Sequence, residues 1–199
     1  MAIDKRYKTN KLVFLHSCLQ IIGWSLILTY LALYVYNNYN LKYLNYVLHL
    51  VKVFQILQVL DFIFSILGCT KTSYFYSLIQ ILGRLGIVIF FLDQSSNKYL
   101  IVICLSCWSL ADIIRNMYYI CKESVVLTIF RYNSFIVLYP IGVLSEIMLI
   151  ENSLNKYHKF IVLLRILQAT IFICFLFLYT YLFKQRKKYR YSMLKRRND

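Results

Sequence analysis

The sequence predicts an all-α, polytopic membrane protein: a bundle of six transmembrane helices. The 199 residues are 60% hydrophobic and only 16% charged, whereas soluble domains are about 45–50% apolar and about 25% charged. A helix that crosses a bilayer needs about 20 mostly apolar residues, so six helices use about 120 and leave the rest for short loops and two tails. We therefore expect a single membrane domain over residues 1–199 and no separate soluble domain.

Six apolar runs follow one another along the chain, separated by short polar segments. The first, at about residues 12–36, follows basic residues as in a signal peptide, but it is too long and lacks a small-residue cleavage site. We expect it to be a retained span. The second, at about 46–67, follows a polar turn at 37–40 and ends at Gly68. The remaining runs lie at about 75–92, 99–120, 125–150 and 160–183.

Basic residues cluster near the two ends of the chain and account for most of the net charge of +15. Basic segments that flank membrane spans usually lie on the cytoplasmic side. With the N-terminus inside, 14 Lys and Arg fall on the cytoplasmic side and four on the other. We expect both termini in the cytoplasm, with basic tails at about 1–11 and 184–199 that lie against anionic lipid. Nucleic-acid binding is not expected, because no stable soluble surface remains to read a groove.

Several charged residues fall within the apolar runs, where they are costly and normally mark function. They are Lys52, Asp61, Arg84, Asp112, Arg115, Glu146 and Arg165. Asp112 and Arg115 are three residues apart and therefore neighbours on a helix, whereas Lys52 and Asp61, nine apart, need other partners. For any one residue, a buried ion pair that holds the bundle together is an equal alternative. The whole set indicates a polar cavity inside the bundle.

The fifth run carries the only proline, Pro140, which favours a kink. Tyr139 and Glu146 are seven residues apart, which places them within about 20° of the same helix face and about 10 Å apart along the axis. This spacing suits two groups that act at different points of one substrate. A Glu surrounded by hydrocarbon favours its neutral form, which makes Glu146 a potential proton donor.

Residues 131–146 read Arg-Tyr-Asn-x-Phe-x-x-Leu-Tyr-Pro-x-Gly-x-x-x-Glu. This pattern resembles the signature of the 3-hydroxyacyl-CoA dehydratases, also called protein tyrosine phosphatase-like A proteins. Gln80-x-x-x-Arg84 resembles the family's third-span pair, and the family's fourth-span motif is matched by Trp108-Ser109-x-x-Asp112-Ile113-x-Arg115-x-x-Tyr118-Tyr119. The matches together cover about residues 50–190.

The resemblance implies a six-span protein of the endoplasmic reticulum membrane. It also implies removal of water from (3R)-3-hydroxyacyl-CoA, the third step of very-long-chain fatty acid elongation. Its expected partners are the long-chain 3-hydroxyacyl-CoA substrate, membrane lipid and other elongation enzymes, with no metal or redox cofactor. By the same resemblance Tyr139 and Glu146 are catalytic, and the supporting positions are Gln80, Arg84, Asp112, Arg115, Arg131, Gly142 and Asp61.

The sequence departs from the family pattern at three positions. Asp61 and Asp112 stand where the family usually has Glu, and Asn116 stands where Tyr is usual. Loss of a methylene withdraws each carboxylate by more than about an ångström, which weakens contacts that depend on exact placement. A membrane scaffold of the same fold without the chemistry is therefore the alternative function.

Two other functions fit the sequence less well. A cysteine phosphatase needs an Arg about six residues after its nucleophilic Cys, and no cysteine here has that spacing. A channel or carrier would also use intramembrane charges, but the proline-broken span has no counterpart in another half of the chain.

For the dehydratase, the sequence does not decide which catalytic group is the acid. We prefer a neutral Glu146 that protonates the hydroxyl, with Tyr139 near C2.

Overall fold

The computed structural model describes residues 11–70, 73–121, 124–154 and 160–198, and every regular element in these ranges is helical. The elements are α1 (Lys11–Tyr36), α2 (Leu41–Leu57), α3 (Val59–Ile66), α4 (Tyr74–Ile87), a π-helical turn (Val88–Leu92), α5 (Lys98–Ile120), α6 (Val125–Ser153) and α7 (Ile161–Asn198). Among the described residues, six segments are long and apolar enough to cross a membrane: α1, α2 with α3, α4 with the π-helical turn, α5, α6, and Ile161–Lys187 of α7. The predicted all-α, six-span fold is confirmed.

Polar side chains next to the apolar runs begin three of the helices. The side chain of Asn40 accepts a hydrogen bond from the backbone nitrogen of Lys42 at the start of α2, at 3.0 Å. Asn97 and Ser124 accept equivalent bonds at the starts of α5 and α6. Such caps satisfy backbone donors that have no partner within the helix. Gly68 has φ +68°, a left-handed conformation that glycine adopts without strain and that ends α3 as predicted.

The structure also differs from the predicted spans in three ways. The second span is two helices, because the α-helical pattern is interrupted at Gln58. The third span ends in a π-helical turn, a feature that is common near functional sites. Helix α7 continues past residue 183, since the basic tail contains good helix formers and no Gly or Pro to stop it.

The N-terminal tail and several loop lysines lie outside the described residues, so the orientation in the membrane stays a prediction.

Helix α5 lies at the centre of the bundle and packs against α1 on one side and α6 on the other. Helix α1 also contacts α2, and α6 contacts α7. The large buried side chains of this core include Trp24, Leu31, Leu44, Ile101, Leu105 and Leu149. The buried face of α5 changes character along its length, because apolar residues near its start give way to polar ones in its second half. That polar half faces the site described next.

Candidate active site

A cavity of about 350 Å³ lies between α4, α5, α6 and α7, and we call it the main cavity. Most of its lining is aliphatic or aromatic. Five of the nine predicted site residues line it, namely Gln80, Arg84, Tyr139, Gly142 and Glu146. An apolar cavity with a few convergent polar groups is the usual form of a small-molecule site.

Helix α6 carries three of these residues, Tyr139, Gly142 and Glu146, on one cavity wall. The helix is continuous from Val125 to Ser153 and contains Pro140. Because proline has no backbone N–H, the carbonyl of Ile136 loses its usual helical donor. The hydroxyl of Tyr179 on α7 donates a hydrogen bond to that carbonyl at 3.4 Å. The proline therefore gives α7 a polar attachment point on α6 beside the cavity.

Glu146 is 9% exposed and is held by a tryptophan. The indole nitrogen of Trp108 donates a 2.8 Å hydrogen bond to Glu146 Oε1. The guanidinium of Arg84 lies over the Trp108 ring, 5.0 Å from its centroid, within the range of a cation–π contact. Arg84 and Trp108 also line the main cavity. One carboxyl oxygen of Glu146 is thus fixed by a neutral donor that is itself supported by a buried cation.

Four of the predicted site residues form one buried network of alternating charge. Arg84 of α4 pairs with Asp112 of α5. Arg115 binds Asp112 at 3.0 Å and Asp61 of α3 at 2.7 Å. The predicted pairing of Asp112 with Arg115 is confirmed. Asp61, which lies nine residues from Lys52 and was expected to need another partner, pairs with Arg115. Both aspartates reach guanidinium groups despite their short side chains.

Two further residues complete this network, and neither was identified from the sequence. Gln58, at the break between α2 and α3, donates a 2.6 Å hydrogen bond to Asp112 Oδ2. The Nε2 atom of His16 on α1 lies 3.0 Å from Asp61 Oδ1, and His16 is only 6% exposed. Each lies three or four residues from another polar residue of the same apolar run, so that the two share a helix face. Gln55 comes three residues before Gln58, and Gln20 comes four residues after His16. That spacing is the signal in the sequence that could have identified them as buried polar residues.

The other two intramembrane cations lie at the rim of the bundle. Lys52 binds Asp93 at 2.5 Å, and Arg165 binds Glu151 through both of its terminal nitrogens, the longer contact being 2.9 Å. The side chains in both pairs are about half exposed. None of these four residues lines the main cavity, so the two pairs are not part of the site.

A second, smaller cavity of about 100 Å³ adjoins the charge network, and we call it the polar pocket. Asp61, Asp112, Arg115 and Arg131 line it. Arg131 lies over the rings of Tyr118 and Tyr119, at 4.1 and 5.3 Å from their centroids. The main cavity and the polar pocket share part of their lining: Gln80, Ala111, Leu138, Tyr139 and Leu178. Tyr139 therefore lies at the boundary between an apolar and a polar chamber.

Comparison with known proteins gives one family and a consistent group of relatives. The model of the family described as protein tyrosine phosphatase-like protein, PTPLA, matches residues 55–192. The chain is 28% identical over 155 residues to the very-long-chain (3R)-3-hydroxyacyl-CoA dehydratase of Gallus gallus, covering 66% of this chain and 43% of that protein. It is 31% identical over 163 residues to very-long-chain (3R)-3-hydroxyacyl-CoA dehydratase 3 of Homo sapiens, covering 70% of this chain and 45% of the human protein.

A fungal relative is closer in length. The probable very-long-chain (3R)-3-hydroxyacyl-CoA dehydratase of Schizosaccharomyces pombe is 32% identical over 143 residues, covering 62% of this chain and 65% of the yeast protein. The chain spans less than half the length of the vertebrate relatives. No solved structure matches. His16 lies before the region that the family model matches, whereas the two cavities and the rest of the charge network lie within it.

Proposed function

The chain belongs to the protein tyrosine phosphatase-like protein (PTPLA) family, and we propose that it removes water from (3R)-3-hydroxyacyl-CoA to give trans-2-enoyl-CoA. The names of the relatives support this substrate class. The observation that carries the proposal is that Tyr139 and Glu146 line one wall of a mostly apolar cavity of about 350 Å³. The charge network supports that wall from α3, α4 and α5.

The reaction needs two groups at two points of the substrate. The thioester acidifies the C2 proton, and the C3 hydroxyl must leave as water. A base near C2 and an acid near the C3 oxygen therefore act together. Tyr139 and Glu146, about 10 Å apart along a regular helix, supply two such positions on the same wall.

The order of the chambers favours one assignment of the two roles. Tyr139 borders the polar pocket, whereas Glu146 lies only on the main cavity. If the acyl chain occupies the main cavity with the CoA head towards the polar end, the thioester and C2 come to Tyr139 first. C3 and the chain then extend towards Glu146. We therefore assign Tyr139 as the base at C2 and Glu146 as the acid at the C3 hydroxyl.

In this scheme Tyr139 gains one proton and Glu146 loses one in each turnover, so a single proton transfer between them restores the starting state. The Tyr139 phenolate takes the C2 proton, and Glu146 delivers its proton to the departing hydroxyl. Because Trp108 holds Oε1, the transferred proton sits on Oε2. A return of the proton from Tyr139 to the Glu146 carboxylate restores the starting state. Arg84 lines the main cavity and Arg115 the polar pocket, each together with Tyr139, and these two cations supply the positive charge that a phenolate and a developing enolate need.

The pathway and the location follow from the same proposal. We place the protein in the endoplasmic reticulum membrane with both termini in the cytoplasm, where it serves very-long-chain fatty acid elongation beside the other elongation enzymes. The acyl chain lies within the bundle and the CoA head at its basic end. The charge distribution along the sequence supports this orientation.

The direct test is dehydration of a long-chain (3R)-3-hydroxyacyl-CoA by the purified protein in detergent, with trans-2-enoyl-CoA measured as the product. The (3S) isomer and the Glu146→Gln variant are run in parallel. We expect turnover of the (3R) isomer by the parent protein and its loss in the variant. A folded parent protein that gives no product would contradict the proposal and favour a scaffold of the same fold.

A further inference from the structure

The polar pocket lies at a defined end of the bundle. Its walls come from the beginning of α4, the end of α5, the beginning of α6, and the stretch of α7 from Leu178 to Gln185. The same end of α7 leads into the basic tail. The pocket thus lies between the main cavity and the basic end of the protein, and Tyr139 is part of both chambers. A molecule with a polar head and a long apolar tail would extend through the two in that order.

The groups in the pocket divide into two kinds. Asp61, Asp112 and Arg115 bind one another, and Arg84 balances their charge through Asp112. Arg131 lies over the rings of Tyr118 and Tyr119. Ser134, Gln185 and Gln80 contribute hydroxyl and amide groups, which can both donate and accept hydrogen bonds. The amide nitrogen of Gln185 also donates a hydrogen bond to the Tyr181 hydroxyl, which lies in the same wall. Such groups match uncharged amides and hydroxyls in a ligand better than they match a free anion.

The size of the pocket limits what can enter it. Its volume of about 100 Å³ is less than a third of the volume of the main cavity. A pocket of this size suits a slender amide-containing segment better than a bulky nucleotide. In an acyl-CoA, the segment next to the thioester is the pantetheine arm, which carries two amides and a hydroxyl, while the charged nucleotide is farther from the sulfur.

We propose that the polar pocket binds the amide end of the pantetheine arm, with Ser134 and Gln185 as hydrogen-bonding partners, and so sets the thioester beside Tyr139. This inference rests on the proposed function for the identity of the ligand. It adds a recognition site for the carrier arm that is separate from the acyl cavity. The nucleotide then lies outside the bundle, at the basic end.

The test is a binding measurement that needs no turnover. A long-chain S-alkyl pantetheine thioether, which cannot be dehydrated, and a matched alkyl ethyl sulfide without amides are titrated against the purified protein in detergent. The variants are Ser134→Ala and Gln185→Leu, with Thr180→Val on the exposed face of α7 as control. We expect each pocket variant to weaken pantetheine binding about fivefold to tenfold, the scale of one lost hydrogen bond, and to leave sulfide binding unchanged.

The outcomes separate the two proposals. Equal binding of the pantetheine compound by parent and pocket variants would overturn the pocket assignment, and so would parallel losses for both ligands. If the parent binds the pantetheine compound through the pocket yet does not dehydrate 3-hydroxyacyl-CoA, the proposed function fails while the recognition site stands. If the parent protein dehydrates 3-hydroxyacyl-CoA but the pocket variants bind the pantetheine compound normally, the proposed function stands and the recognition site fails.

Discussion

The indole of Trp108 on α5 donates a hydrogen bond of 2.8 Å to Glu146 on α6, and this bond joins the two helices at the main cavity. The donor is uncharged, so it can hold the carboxyl group in its protonated and its ionised state. Arg84 lies over the same indole ring and keeps it in place. Trp108 is therefore a positioning residue for Glu146, and its effect can be separated from the chemistry of the carboxyl group itself.

Replacement of Trp108 by Phe removes the donor and keeps an aromatic ring beneath Arg84. We expect kcat for dehydration to fall about tenfold, less than in the Glu146→Gln variant, because the carboxyl group remains but is less well oriented. The KM for substrate should change little. Steady-state kinetics of the two variants give the comparison, and a Trp108→Phe protein as inactive as Glu146→Gln would place Trp108 in the chemistry directly.

Removal of the Tyr139 hydroxyl should lower dehydration by at least about a hundredfold, the usual scale of lost acid–base catalysis. The variant is Tyr139→Phe, and Tyr46→Phe, at an exposed position on α2, is the matched control. The dehydration rate of the Glu146→Gln variant should fall by a similar factor. Its control is Glu151→Gln, because Glu151 lies outside both cavities. Near-normal rates in either site variant would remove that residue from the mechanism.

The charge network predicts a stability effect independent of activity. Asp112 is 1% exposed and is bound by two arginines and Gln58. Asp112→Asn leaves buried positive charge uncompensated, which should destabilise the protein by about 3 kcal/mol or more. Asp93→Asn, in the half-exposed pair with Lys52, should have little effect. Unfolding in mixed detergent measures both variants, and equal midpoints would contradict the network.

The contact between α1 and α2 gives a steric prediction. A Cβ atom on Gly23 would lie 2.1 Å from the ring of Phe54, which packs against the core. Gly23→Ala must therefore displace that ring and should lower the unfolding midpoint. Gly86→Ala is the control, because a Cβ atom there meets nothing within 4 Å. If the two variants unfold alike, the helices are farther apart than described.

The distribution of basic residues predicts the orientation of the protein. Glycosylation acceptor tags fused separately to the two termini should both stay unmodified in microsomes, because both ends are expected to face the cytoplasm. A tag in the 37–40 connection serves as the positive control for a luminal position. Efficient glycosylation of the C-terminal tag alone would require an odd number of spans.

The sequence predicts the spans well because hydrophobicity is a local property of each run. It also predicts that Asp112 and Arg115 meet, since both lie on one helix at a spacing of three residues. It could not predict that Trp108 reaches Glu146 or that His16 reaches Asp61. Those pairs join residues 38 and 45 positions apart on different helices. Such contacts depend on how the helices pack, and hydrophobic pattern does not specify their relative rotation.

The break at Gln58 and the π-helical turn after α4 escaped prediction for a different reason. Both lie within long hydrophobic runs that contain no Gly or Pro at those points. The family motif was the stronger signal for the cavity-lining residues, because it brought together positions on α4, α5 and α6 that no single-helix pattern could connect.

The buried network also has a consequence for biosynthesis. Its ion pairs form only when the second, third and fourth spans are together, because Asp61 of the second span and Arg84 of the third both pair with residues of the fourth, Arg115 and Asp112. A lone acidic or basic residue at the centre of a helix costs about 2.5–3.5 kcal/mol to insert. As the chain emerges from the ribosome, the second span is exposed before its arginine partner has been made. The unit that partitions stably into lipid is thus a group of spans, and the insertion machinery must retain the early helices until the fourth arrives.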